Sequence, residues 1–150
     1  MRPKFFLLAW FFIFFILPEP VSGGEKSYGD IEGVVYLGNY DGDTVRFNIP
    51  GLHPLLGQNI SVRVRGIDTP EIRGKCPAEK RMAQRAKEFV HQLLEKVRKI
   101  TLRQVGRGKY FRIVAYVEAD GEDMSDALLV AGLAVSYHGG KKTWDWCDGS

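Results

Sequence analysis

The chain is short of the residues that build metal-thiolate and disulfide-dense proteins. It has two cysteines and three histidines in 150 residues. Without a His/Cys cluster no zinc centre of ordinary spacing can be assembled. Two cysteines exclude a multiply stapled scaffold and leave room for one bridge, in an oxidising compartment. No internal repeat or low-complexity tract is present, which removes solenoids. The one long apolar run, Phe5 to Leu17, is too short for a spanning helix, which needs about 20 residues. Charge of one sign is not in excess either. The formal net charge of +3 is too small to argue a polyanionic partner from the total.

What is present begins with that run. Arg2 and Lys4 precede it, and Pro18, Pro20 and the small residues of Val21-Ser22-Gly23-Gly24 follow it. A basic start, a short apolar core and small residues describe a secretory signal peptide over 1–23. Its removal takes away Arg2, Lys4 and Glu19, so the charge falls from +3 to +2. The expected location is secreted, or periplasmic in the cell envelope, with no stable membrane association after cleavage. Residues 24–30 read as a flexible lead-in, 31–138 as one folded domain, and 139–150 as a C-terminal tail. The charge is unevenly distributed. From Arg73 to Arg112 there are 13 Lys or Arg against the acids Glu79, Glu88 and Glu95. Such a stretch can hold a polyanion, or can simply be a solvated helix face.

Val34, Val35, Tyr36, Val45 and Phe47 are strand formers around Asp41-Gly42, a strong hairpin signal. Residues 50–59 read as turn chemistry. Ile60, Val62 and Val64 alternate with Ser61 and Arg63, which predicts a strand. Pro77 suits a first helical position. Met82, Ala86, Phe89 or Val90, Leu93 and Val97 carry the helical period to about Arg98. Strands are predicted over 100–105 and 111–118. A short helix follows, capped by Ser125 and stopped by Gly132. The fold class is α+β, mainly β. The order is that of an OB-fold five-stranded barrel with a long helix after strand three and a shorter C-terminal helix, an architecture that often binds nucleic acid.

The acids lie where two loops can meet. Asp41, Asp43 and Thr44 sit at the hairpin, and Asp68, Thr69 and Glu71 sit just after the third strand. Carboxylate and backbone oxygens from separate loops suit Ca²⁺, which takes six to eight oxygen ligands. Taken singly, each segment is also a good turn or loop. Arg63 lies on the polar face of its strand. Arg112 lies in a predicted strand among apolar neighbours and wants an anionic partner. Guanidinium matches phosphate oxygens bidentately. Two arginines, a metal-ready acid pair and a spare carboxylate form a set suited to phosphodiester cleavage.

At these residues the sequence resembles the staphylococcal (micrococcal) nuclease, or thermonuclease, family. The resemblance rests on "DGDTV" at 41–45, "RVRGIDTPE" at 63–71 and "GKYFRIVAYVEADG" at 108–121, in order, and covers roughly 31–138. It implies a Ca²⁺-dependent nuclease of DNA and RNA leaving 3′-phosphate ends. Matched by motif position, Asp43 and Asp68 would be the metal carboxylates and Thr69 would add its backbone carbonyl. Glu71 would be the general base, and Arg63 and Arg112 the phosphate clamp. Lys109 and Tyr110 would contact a terminal phosphate of the substrate. A single-strand preference and a monomeric chain are expected. The alternative is a non-catalytic OB-fold module that binds nucleic acid or protein. The retention of Arg63, Glu71 and Arg112 favours the enzyme.

The sequence departs from the family type in three places: a longer 50–59 loop, Cys76-Pro77 after Glu71, and a Trp-rich tail carrying Cys147. Cys76 and Cys147 are expected to be bonded, tying the tail against the rim of the site. Trp144 and Trp146 read as covers for apolar surface. Arg73 and Lys75 read as a solvated loop, with substrate guidance as the other role open to them. Tyr137 and His138 are candidates for stacking on a base. His53 carries no signal, and His91 reads as an ordinary helix residue.

Overall fold

The computed structural model describes residues 26–149; the predicted signal peptide lies outside them. Five long strands carry the sheet: β2 (Val35–Asn39), β3 (Thr44–Asn48), β4 (Ile60–Val64), β6 (Ile100–Arg107) and β7 (Ile113–Ala119). Four two-residue strands complete it: β1 (Ile31–Glu32), β5 (Ile67–Asp68), β8 (Glu122–Asp123) and β9 (Val135–Ser136). The main sheet runs β1-β6-β7-β4-β3-β2, with β8 beside β7, while β5 and β9 pair separately. All these pairs are antiparallel except β4 with β7, where Val62 faces Ile113 and Arg63 faces Val114. The result is a curled, OB-type half-barrel.

Alternation sorts the strands into two faces. Val45, Phe47, Val62, Val64, Leu102, Ala115 and Val117 are buried and meet Ala86, Val90 and Leu94 of α2 (Pro77–Glu95) and Met124 and Leu128 of α3 (Met124–Val130) in one core. Each fully buried Val, Leu, Phe or Met among them contributes about 1.5–3 kcal/mol. The outward residues Thr44, Arg63 and Val114 therefore share the opposite face.

Several local expectations shift. The α2 stripe runs Glu79, Ala83, Ala86, Val90, Leu94. Met82, Phe89 and Leu93 flank it half-buried. The helix phase is set by Glu79, which turns inward to bind the preceding loop. The helix ends at Glu95 rather than near Arg98, because the Asp120 carboxylate accepts the Arg98 and Lys99 N–H groups and turns the chain into β6. The cap of α3 is Asp123, which accepts from Ser125 N at 2.6 Å. Ser125 instead donates its hydroxyl to the Arg65 carbonyl. Gly132, at φ +66°, closes that helix as expected. The 50–59 turn region contains one helical turn, α1 (Pro54–Gly57), capped by His53, whose Nδ1 accepts from Leu55 N. The lead-in is docked where it is described. Tyr28 N donates to Val105 O and Val105 N to Gly29 O.

The β2–β3 turn is pressed onto the rest of the molecule. A Cβ on Gly42 would lie 2.9 Å from Thr69 Cγ2 and 3.0 Å from Ala86 Cβ. Only a hydrogen at that position lets the hairpin tip reach the Asp68 loop and α2.

Cys76 and Cys147 form a disulfide with Cα atoms 5.9 Å apart and a sequence separation of 71. For a loop of that size the chain-entropy account gives up to about 4 kcal/mol. A Cys76→Ser/Cys147→Ser chain is expected to unfold about 2–4 kcal/mol more easily in urea. Coincident unfolding curves for the two chains would show that the crosslink adds no stability.

Candidate active site

Four segments meet at one mouth of the half-barrel. The β2–β3 turn brings Asp41 and Asp43. Asp41 Oδ1 accepts from Thr44 N at 2.8 Å and from Asp43 N at 3.2 Å, which fixes the turn. Asp43 is buried, and its carboxylate accepts from Thr44 Oγ1, from Thr69 N and from Arg63 Nη1. Burial pushes its carboxyl upward from the ordinary value, and the Arg63 guanidinium opposes that rise.

The second segment is β4 with the loop after it. Arg63 spans two acids, with Nη1 2.5 Å from Asp43 Oδ1 and Nη2 3.2 Å from Asp68 Oδ1. Asp68 is buried in β5, pinned to β9 by its pairing with Val135. Thr69 is buried, and its Oγ1 has no hydrogen-bond partner among the described residues. Glu71 lies beyond Pro70 with its carboxylate half-exposed.

Third comes the start of α2. Cys76 is its N-cap and Glu79 its third residue, the spacing of a capping box. Buried Glu79 accepts from Lys75 N at 2.7 Å and from Glu71 N at 3.3 Å. It therefore holds both ends of the loop that carries Glu71. Gly74 gives it room, since any Cβ there would overlap the Glu79 carboxyl.

The tail is the fourth segment. Lys142 Nζ lies 2.7 Å from Asp68 Oδ1 and 2.7 Å from Glu71 Oε1. Burial works against its charge, but the two carboxylates outweigh it and hold the ammonium protonated above the ordinary lysine range. Asp68, Glu71, Glu79, Lys142, Trp144 and Trp146 line one cavity of about 170 Å³. The two tryptophans pack edge to face at 6.0 Å. They are therefore part of the wall of this mouth, and Trp144 remains 40% exposed.

The structure thus brings together Asp43, Arg63, Asp68, Thr69 and Glu71. Arg112, Lys109 and Tyr110 stand at the β6–β7 turn, where Arg112 and Tyr110 share a cleft with Thr44. Arg112 is not within a strand. It precedes β7 and is exposed, because Lys109–Phe111 form a 3₁₀ turn in which Tyr110 and Phe111 take φ of +57° and +58°. The register that sets Arg63 opposite Val114 puts Arg112 on the same outer face as Arg63, one alternation along. Arg112 borders a cleft of about 470 Å³ with Thr44, Ser61, Tyr110 and Phe111. Tyr110 and Phe111 are 91% and 83% exposed there. A second cleft of about 470 Å³ adjoins Arg63, lined by Arg65, Tyr116, Tyr137 and His138 among others. Arg73 is exposed. Lys75 borders the smaller cavity and gives its N–H to Glu79.

Sequence reasoning passed over Glu79 and Lys142. The capping-box spacing of Cys76 and Glu79 was a readable sign of the first. The second had none, because its position depends on the course of the tail.

The donor set fits a hard cation. Asp43, Asp68 and Thr69 are buried and offer only oxygen to it. The closest grouping of metal-capable side chains among the described residues, Cys76, Glu79 and Cys147, is different: its sulfurs are spent in the disulfide.

The fold is thus an OB-type sheet with acids and an arginine at its mouth and aromatic clefts beside them. The model of the staphylococcal nuclease homologue family matches residues 61–145, more than half of the sequence, and the chain belongs to that family. The matched region holds Arg63, Asp68, Glu71, Arg112 and Lys142, while the Asp43 hairpin lies before it. Members of this family are generally phosphodiester hydrolases acting on nucleic acid.

Proposed function

We propose that the chain is an exported, calcium-dependent nuclease that hydrolyses DNA and RNA and leaves 3′-phosphate ends. The observation that carries this reading is the Asp43–Arg63–Asp68 bridge with Glu71 beside it. Asp43, Asp68 and the Thr69 carbonyl would hold Ca²⁺, which supplies electrophilic polarisation of the phosphate. Glu71 takes a proton from the attacking water. Arg63 keeps N–H donors beyond the two spent on the acids and directs them at the phosphate. Arg112 approaches it along the outer face. Lys109 and Tyr110, at the tip of the β6–β7 turn, take the terminal phosphate of the substrate. The P–O5′ bond breaks, the 5′ oxygen leaves as a hydroxyl with a proton from solvent water, and the phosphate stays on the 3′ oxygen.

Exposed Tyr110 and Phe111, and the Tyr116–Tyr137 cleft beside Arg63, are platforms on which unpaired bases stack. Single strands are therefore the favoured substrate. No helix among the described residues is long and apolar enough to cross a membrane. Export rests on the predicted signal peptide.

The test is cleavage of single-stranded DNA by the purified chain in calcium, then in excess chelator, with GC-rich duplex in parallel. Cleavage in calcium, its loss in chelator and slower cutting of duplex are expected. Full activity in chelator overturns the metal role. Binding without cleavage is the result a non-catalytic OB module gives.

A further inference from the structure

The tail crosses the site as a strap with two anchors. At one end β9 pairs with β5, and Tyr137 N donates to Gly66 O at 2.8 Å. At the other, Cys147 is bonded to Cys76, next to the Glu71 loop. Between them Lys142 puts one ammonium on both Asp68 and Glu71. Those are the carboxylates assigned above to the metal and to the base. Nothing in the proposed reaction uses Lys142.

We propose that Lys142 is a tethered cation that competes with the divalent ion for Asp68 while holding the base Glu71, so that metal loading requires its displacement. The inference rests on the calcium reading and adds the residue that regulates it. An ammonium within hydrogen-bond distance of Asp68 Oδ1 takes the oxygen an incoming ion needs. Its charge also repels that ion directly. The covalent anchor keeps the ammonium local, as a linker does for the second module of a tandem binder. Lys142 and Arg63 together offset part of the charge of Asp43, Asp68 and Glu71, which would otherwise repel one another. A contact that stabilises only the metal-free form must weaken metal binding.

Calorimetric titration of calcium into the whole chain tests this, comparing wild type with Lys142→Met, Lys142→Arg and Cys76→Ser/Cys147→Ser, each checked for fold by circular dichroism. The Lys142 ammonium is itself half-exposed and so holds the acids only modestly, and Lys142→Met is expected to bind calcium roughly three- to ten-fold more tightly. Lys142→Arg, which keeps the charge, should stay near wild type. The cysteine-free chain should shift in the same direction as Lys142→Met. Equal or weaker calcium affinity in Lys142→Met overturns the inference and leaves the calcium reading standing. Calcium binding by none of the chains overturns both.

Discussion

Lysine in place of Arg63 is expected to lower turnover on single-stranded DNA by on the order of 10²–10³. Arg63 bridges the buried carboxylates of Asp43 and Asp68, with a separate Nη on each. A lysine has one ammonium on a flexible stem and can satisfy one of them well. The other carboxylate then loses its guanidinium and keeps only Lys142, if it is Asp68, or the Thr44 and Thr69 donors, if it is Asp43. The planar donors meant for phosphate oxygens are lost at the same time. Two measurements separate the effects. Steady-state rates at saturating calcium report the chemistry, and urea unfolding reports what the acids lose. A folded Arg63→Lys chain at wild-type rate would remove Arg63 from the site.

Glu71→Gln is expected to lose about 10²–10⁴ in rate while keeping its fold and its affinity for a non-cleavable single strand. The amide has nearly the same shape but cannot accept a proton from water. The loop is held through the Glu71 and Lys75 backbone N–H groups on Glu79, and neither is touched by the change. The Lys142 contact weakens, because a neutral amide replaces one of its two carboxylates. A drop in kcat with nearly constant binding is therefore the signature of the base. A near-normal kcat would assign that role to another group.

The strands and both longer helices were legible because burial repeats in the sequence with the period of each element. Val62 and Val64 alternate with Ser61 and Arg63, and the α2 stripe recurs every three or four residues. The acids were legible for another reason: turn chemistry places them at element ends, where loops converge. What escaped was decided by contacts between distant segments. The exposure of Arg112 follows from positive φ at Tyr110 and Phe111, a conformation that local propensity does not predict for aromatic residues. The cap of α3 passed from Ser125 to Asp123 because the Arg65 carbonyl claims the serine hydroxyl. Lys142 stands five positions before a cysteine in a Gly- and Trp-rich tail, and nothing in that text indicates Asp68.

The parallel pairing of β4 with β7 has a kinetic side. The β2–β3–β4 meander and the β6–β7 hairpin are built from neighbours in sequence, whereas β4 and β7 are joined with all of α2 and β6 between them. Contacts that close long loops are slow to form. Asp43 and Arg63 belong to the first unit, Asp68 and Glu71 follow it in β5 and the loop beyond, and Arg112 and the Lys109–Tyr110 turn belong to the second. The face that would grip the substrate comes into being only when that seam closes. During refolding, activity should return with the slowest global phase, after the far-ultraviolet signal of the hairpins has largely recovered.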